Sequence, residues 1–244
     1  MAFGLFSKER ALQKTIERAT NKLSQQVDRW GALEKLKEDG RDEALFGLCK
    51  RFAITSSKGV EDEQEKNWVV DTLVSFGPAA LTPLVRYMKT ADQLSFPLRV
   101  LERIADKPKI LEVADQLFAS EPPGYVRMPE RRIDLLRWFA EYKHASDDEM
   151  ISRLTPYVAD FDENSRFATI DGLSGRDPAK IAPPLISALI RPDEESGRIK
   201  RQIVEVLAAC KAPLGDTSAA VAAVLESGPL GDDFKVDGAI VKKR

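Results

Sequence analysis

A pair of helix-length amphipathic segments joined by a tight polar turn recurs six times between Gln26 and Ser227, and no other feature constrains the fold of this chain as strongly. The clearest copy runs from Asn67 to Met88 with Gly77-Pro78 at its turn. A second runs from Arg166 to Ile190, where Gly175 precedes the Pro178 that opens the next helix. A single helix pair is too thin to bury its own apolar face, so neighbouring pairs must stack. The spacing therefore predicts an all-α fold in which the 244 residues spread along one continuous array.

The first helix of each pair is marked by one apolar anchor, at Leu36, Leu73, Leu101, Phe139, Leu173 and Leu207, spaced by 37, 28, 38, 34 and 34 residues. Such spacing describes a degenerate array whose differences fall in the loops. Second helices carry Leu81, Leu84, Val85 and Met88 in one pair and Ile181, Pro184, Leu185, Ala188 and Leu189 in another, a period that predicts burial. Punctuation agrees. Ser146 to Glu149 reads as a capping box, Asp177-Pro178 as an N-cap followed by proline at the first helical position, and Pro129 as the same device before Glu130. Loops are expected at 55–59 and 120–128. Pro83 and Pro183 must lie in a first turn or kink their helices, so both helices are expected to start late.

Both ends differ from the array. Residues 1–25 are expected to form an N-terminal amphipathic capping helix over 8–24, N-capped by Ser7, with Leu12, Ile16, Ala19 and Leu23 on one stripe. Phe3, Leu5 and Phe6 ahead of this basic helix suggest an interfacial anchor as an alternative role. The array occupies 26–226. In the tail, 227–244, Asp237-Gly238 between β-prone runs predicts a short capping β-hairpin.

Composition narrows the function. A net charge of -2 supplies no global attraction to nucleic acid or an acidic membrane. Cys49 and Cys210 lie far apart among helical apolar residues and read as buried free thiols. No apolar window approaches the length of a membrane span, and the first residues lack a signal-peptide pattern, which points to the cytoplasm.

Gly77-Pro-Ala-Ala-Leu-Thr-Pro-Leu-Val, Asp177-Pro-Ala-Lys-Ile-Ala-Pro-Pro-Leu-Ile and the helices before them resemble bacterial HEAT and HEAT-like repeats over roughly residues 26–226. Tetratricopeptide repeats share the 34-residue spacing but use a Trp, Leu-Gly and Tyr framework that is missing here. The resemblance implies a right-handed α-solenoid of about six helix pairs whose second helices line a concave face, used mostly to bind proteins. The family carries no universal functional residue. Its hydroxylase branch holds iron with paired His-Glu motifs, whereas this chain has one histidine, His144, followed by Ala145. Its DNA glycosylase branch uses tryptophans and an aspartate in a cationic groove. Trp30, Trp68 and Trp138 exist here with Asp71 and Asp134 nearby, yet near-neutral charge counts against it, and core packing is the simpler role for the tryptophans.

The sequence thus reads as a non-enzymatic protein-protein scaffold binding a partner on its concave face, with nucleic-acid binding or membrane-surface attachment through the N-terminal helix as alternatives. No catalytic residue, cofactor or metal is assigned. Candidate partner contacts are Arg86, Tyr87, Lys89, Lys107, Lys109, Lys180 and Arg191. Arg131, Arg132 and Arg137, and Arg198, Lys200 and Arg201, form two basic clusters. Their simplest reading is a solvated face with intrahelical pairs to Glu130, Asp134 and Glu205. The acidic run from Glu61 to Lys66 opens a helix, where carboxylates oppose the macrodipole without any catalytic role.

Overall fold

The computed structural model describes residues 2–244, with side chains from Lys8 onward. Helices dominate. After α1 (Ala2–Ala19) come six successive pairs: α2 (Gln26–Asp39) with α3 (Asp42–Cys49), α4 (Gly59–Ser75) with α5 (Leu81–Met88), and α6 (Ser95–Ile104) with α7 (Lys107–Ser120). They continue with α8 (Glu130–Glu141) and α9 (Asp147–Leu154), α10 (Glu163–Leu173) and α11 (Pro178–Ile190), and α12 (Gly197–Ala209) and α13 (Ser218–Glu226). A single turn, α14 (Leu230–Asp233), leads into β1 (Phe234–Asp237) and β2 (Ile240–Lys243). The chain forms two compact units, one ending at Leu117 and one beginning at Phe118.

In the first unit α1 packs on α2 and α3, α2 on α4, α4 on α6, and α3 on α5. Leu36, Leu73 and Leu101 are fully buried along the row of first helices. In the second unit α8 packs on α10, α10 on α12, and α11 on α13, with Phe139, Leu173 and Leu207 equally buried. The anchors therefore mark the faces that the first helices turn inward. Second-helix positions follow as expected at Leu84, Met88, Ile181, Leu185, Ala188 and Leu189, whereas Leu81, Val85 and Pro184 stay half-buried.

One contact needs glycine. A Cβ on Gly172 of α10 would lie 2.6 Å from Ala140 Cβ and 2.9 Å from Leu154 Cδ1, so α8 and α10 approach where nothing larger fits. Gly172→Ala is expected to cost about 1–3 kcal/mol through overpacking despite alanine's better helix propensity. A shift of the denaturation midpoint toward lower urea checks this. An unchanged midpoint would show that the α8–α10 contact is not tight.

Several expectations are corrected. Helix α1 begins at Ala2, so Ser7 lies inside it rather than capping it. It stops at Ala19, since Asn21 Oδ1 accepts from the Leu23 amide and turns the chain. Leu23 is consequently 86% exposed and off the stripe. The side chains of Phe3, Leu5 and Phe6 lie outside the described residues. Pro129 occupies the N-cap position itself, one residue earlier than expected. Pro83 does sit in the first turn of α5, but α11 starts at Pro178 and carries Pro183 and Pro184 inside it. The carbonyls these prolines free, on Ala179 and Lys180, belong to exposed residues where water can satisfy them.

The Ser146–Glu149 capping box is formed in full, and Asp177 caps α11 through the Ala179 amide. The hairpin also forms. Its register pairs Asp237 with Ile240, so the two turn residues are Gly238 and Ala239 rather than Asp-Gly, with Gly238 at φ 62°. Phe234 and Val241 bury its inner face against α13 and α12. Cys49 is buried, with its thiol pushed up by desolvation; Cys210 is only half-buried, and both are free.

Candidate functional site

The second-helix side chains expected to meet a partner are mostly engaged within the protein. Arg86 forms a two-pronged pair with Glu43 at 2.6 and 2.8 Å and lies 3.6 Å from the centroid of Phe46. Tyr87 is a correction. Burial between Phe46 and Phe52 turns its ring inward and pushes its hydroxyl well above the ordinary phenol range. Lys109 pairs with Glu112 at 2.8 Å, Lys180 with Asp148, and Arg191 with Glu194 at 3.3 Å. Lys89 and Lys107 are exposed. Arg86 to Lys109 belong to the first unit, Lys180 and Arg191 to the second.

Basic and aromatic clusters are placed differently from expectation as well. Arg132 is buried and Arg131 pairs with Glu121 at 2.7 Å, so these two do not lie on a solvated face. Arg201 reaches Glu205 at 3.9 Å but bonds Asp233 more closely, at 2.8 Å. All three tryptophans are half-buried rather than core. Trp30 and Trp68 meet at 5.4 Å between centroids, and Asp71 pairs with Arg103 at 2.8 Å.

What the sequence reading missed is a set of buried ion pairs that fixes the turns. In the first unit, Glu65 accepts from Arg29 at 2.8 Å and from Arg51 at 2.7 Å, all three being almost wholly buried. Arg51 also holds Asp62 at 2.7 Å, and Lys66 closes on Asp62 at 2.8 Å. The remaining Arg29 nitrogen donates to the Ser24 carbonyl. Burial pushes the Asp62 carboxyl upward, but hydrogen bonds from Lys66, Arg51 and the Ser56 amide outweigh it and hold the group below its ordinary value. The run from Glu61 to Lys66 thus does more than oppose a helix dipole.

The second unit repeats the device. Arg132 Nη1 donates to Asp160 Oδ2 and to the Gly124 carbonyl, both at 2.8 Å. Asp160 also accepts from the Gly124 amide at 3.1 Å and the Asp162 amide at 2.8 Å. Thirty-four residues on, Arg166 donates to the carbonyls of Asp160 at 2.8 Å and Phe161 at 3.0 Å, and its Nε lies 2.9 Å from Glu194. Glu194 in turn accepts from the Ser196 amide at 3.0 Å. Each carboxylate therefore pins the turn before a first helix, whose N-cap is Asp162 or Ser196. A signal existed in the sequence: Arg29, Lys66, Arg132 and Arg166 each stand seven residues before an anchor.

These pins carry an exposed aromatic pair. Both main-chain polar groups of Gly124 are bonded, and Phe161 follows the doubly held Asp160, so Tyr125 and Phe161 project from fixed backbone. Their rings make an edge-to-face contact at 5.2 Å while remaining 75% and 67% exposed, with Met128 exposed on the same loop as Tyr125. Sequence periodicity could not reveal them, because both rings sit on loops. The second unit also contains a cleft of about 890 Å³, which runs along α12 between α10 and the α13–α14 turn.

Among the described residues, no group of three or more His, Cys, Asp or Glu side chains could hold a metal ion, and no single helix is long and apolar enough to cross a membrane. No protein-family model, curated protein or solved structure matches the chain.

Proposed function

We propose that this chain is a non-enzymatic protein-interaction scaffold, built as a right-handed α-solenoid of six HEAT-like helix pairs. The pairwise packing of α2, α4 and α6, and of α8, α10 and α12, supports the architecture, as does the likeness of the repeats at Gly77 and Asp177 to HEAT sequences. The observation that carries the function is the Tyr125–Phe161 pair. Two large rings held in water on pinned backbone lose little freedom when a partner covers them, which is what a binding hot spot requires.

This reading moves the docking surface from the second-helix cations to the loop edge of the second unit. It also leaves the nucleic-acid alternative short of cations, because Arg131, Arg132, Arg198 and Arg201 face carboxylates of their own. Affinity capture from the native extract, read by quantitative mass spectrometry, tests it. The Tyr125→Ser/Phe161→Ser variant is expected to lose at least about tenfold of one defined protein, matching a hot-spot loss above 1.4 kcal/mol, with an unchanged melting curve. Equal capture of every protein by both forms would remove the aromatic pair from the interface.

A further inference from the structure

Several ring faces at the surface of this protein are covered by its own cations. Phe46, Trp68, Phe96 and Phe167 are half-buried, and Arg86 lies 3.6 Å, Lys37 5.6 Å, Arg99 5.3 Å and Arg198 3.8 Å from their respective centroids. The attraction comes from the negative face of the ring quadrupole and strengthens as water is excluded. Tyr125 and Phe161 are more exposed than any of these, yet among the described residues no lysine or arginine lies over either. Their planes cross at 90°, one ring standing on the other as a wall stands on a floor, so a face of each borders the angle between them.

The pair borders a cleft of about 730 Å³ within the second unit, which both rings line together with Glu163, Asp193 and Glu195. The cations of the same wall are already engaged. Arg166 is buried and donates to Glu194 and to the carbonyls of Asp160 and Phe161, while Arg191 is divided between Glu194 at 3.3 Å and Asp193 at 3.5 Å. Arg127, two residues beyond Tyr125, does not line the cleft. The carboxylates are freer. The Asp193 side chain is 80% exposed, Glu195 is exposed with no ion pair among the described residues, and Glu163 meets Arg198 only at 3.5 Å. What this surface offers to solvent is ring faces beside carboxylates, a combination that complements a cation and repels an anion.

The flatness of the rings selects among cations. An ammonium is a compact, strongly hydrated charge, whereas a guanidinium is planar, stacks on a ring face and keeps its N–H groups free to bond a carboxylate at the edge of the stack. Contacts within the protein follow the same preference, since arginine is nearer than lysine to Phe46 and to Phe96, and it is arginine that covers Phe167. We propose that the Tyr125–Phe161 pair receives an arginine side chain of a protein partner, its guanidinium laid on the ring faces and its N–H groups paired with Asp193 and Glu195. The inference rests on the reading that this pair docks a protein, and names the residue it takes.

The probe is N-acetyl-arginine N-methylamide, titrated into the full chain in low-salt buffer and followed by NMR through the ring protons of Tyr125 and Phe161. Both rings are expected to shift along one binding curve. The citrulline counterpart, which keeps the planar head group without its charge, is expected to bind at least about tenfold more weakly, and the lysine counterpart about threefold or more. Phe161→Leu keeps an apolar side chain but removes a ring face, and is expected to weaken the arginine probe about threefold or more. Asp193→Asn/Glu195→Gln is expected to weaken it to a similar degree and to flatten its salt dependence. These side chains are exposed, so the melting curves are expected to stay unchanged. Ring protons that do not move by the end of the titration, equal binding of either counterpart, or equal binding by either variant would each overturn the proposal. If that happens while partner capture still depends on Tyr125 and Phe161, the pair docks by apolar contact, and the arginine inference falls while the scaffold reading stands. If the probe binds as expected while capture ignores the pair, the scaffold reading loses its docking surface and the guanidinium site stands.

Discussion

Glu65→Ala is expected to destabilise the protein by about 3–5 kcal/mol, since it strips the shared carboxylate from two buried guanidinium groups at once. Arg29 and Arg51 are each under 3% exposed, so neither can recover full hydration without local unfolding. Equilibrium urea denaturation measures the loss. A cost under about 1 kcal/mol, the scale of a surface pair, would show that water enters the site. Breaking the pair must be distinguished from replacing it. Glu65→Leu combined with Arg29→Met and Arg51→Met should recover much of the loss, because an apolar cluster of similar volume carries no desolvation cost. Asp62 adds a pH dependence whose sign follows from its lowered pKa. Its stabilising contribution is complete above its unfolded value of about 4 and disappears as pH falls through the lower folded value. Asp62→Asn is therefore expected to flatten the acid limb of the stability curve below about pH 4, and a limb of unchanged slope would contradict the assignment.

Asp160→Ala is the second large effect, again about 3–5 kcal/mol, but with a local signature. The substitution orphans Arg132 and removes the acceptor from the amides of Gly124 and Asp162. Two turns lose their fixings together, and these are the turns that display Tyr125 and Phe161. Amide hydrogen exchange should accelerate at 124–126 and 160–163 at denaturant levels where Leu135 and Leu173 stay protected. Uniform acceleration through α8 and α10 would mean that the carboxylate supports the core rather than the loops.

The helix pairs were legible because burial in a stacked helix imposes its period on the sequence. Leu36, Leu73, Leu101, Phe139, Leu173 and Leu207 could be found by pattern, and all are buried. Termini were less legible where a local bond decides them, as Asn21 does at the end of α1. Prolines misled at Pro183, since a helix tolerates lost amides when the freed carbonyls reach water. The candidate site was almost wholly hidden. Charge on a helix reads as solvent-facing, and Arg132, Arg166, Asp62 and Glu65 look no different in sequence from exposed residues. Only the seven-residue distance of Arg132 and Arg166 from their anchors sets any of them apart, and no such spacing marks Asp62 or Glu65. Tyr87 shows the converse error, because an aromatic between two cations, expected on the concave face, proved to face inward.

The 34-residue interval separating Arg132 from Arg166 also separates Asp160 from Glu194. A tandem copy of residues 160–193 would therefore give every arginine a carboxylate again, an aspartate standing in for a glutamate at one junction. Duplications out of phase with that interval would strand a charge indoors. The ionic hand-off acts as a ruler, setting the increment by which such a chain can lengthen without penalty.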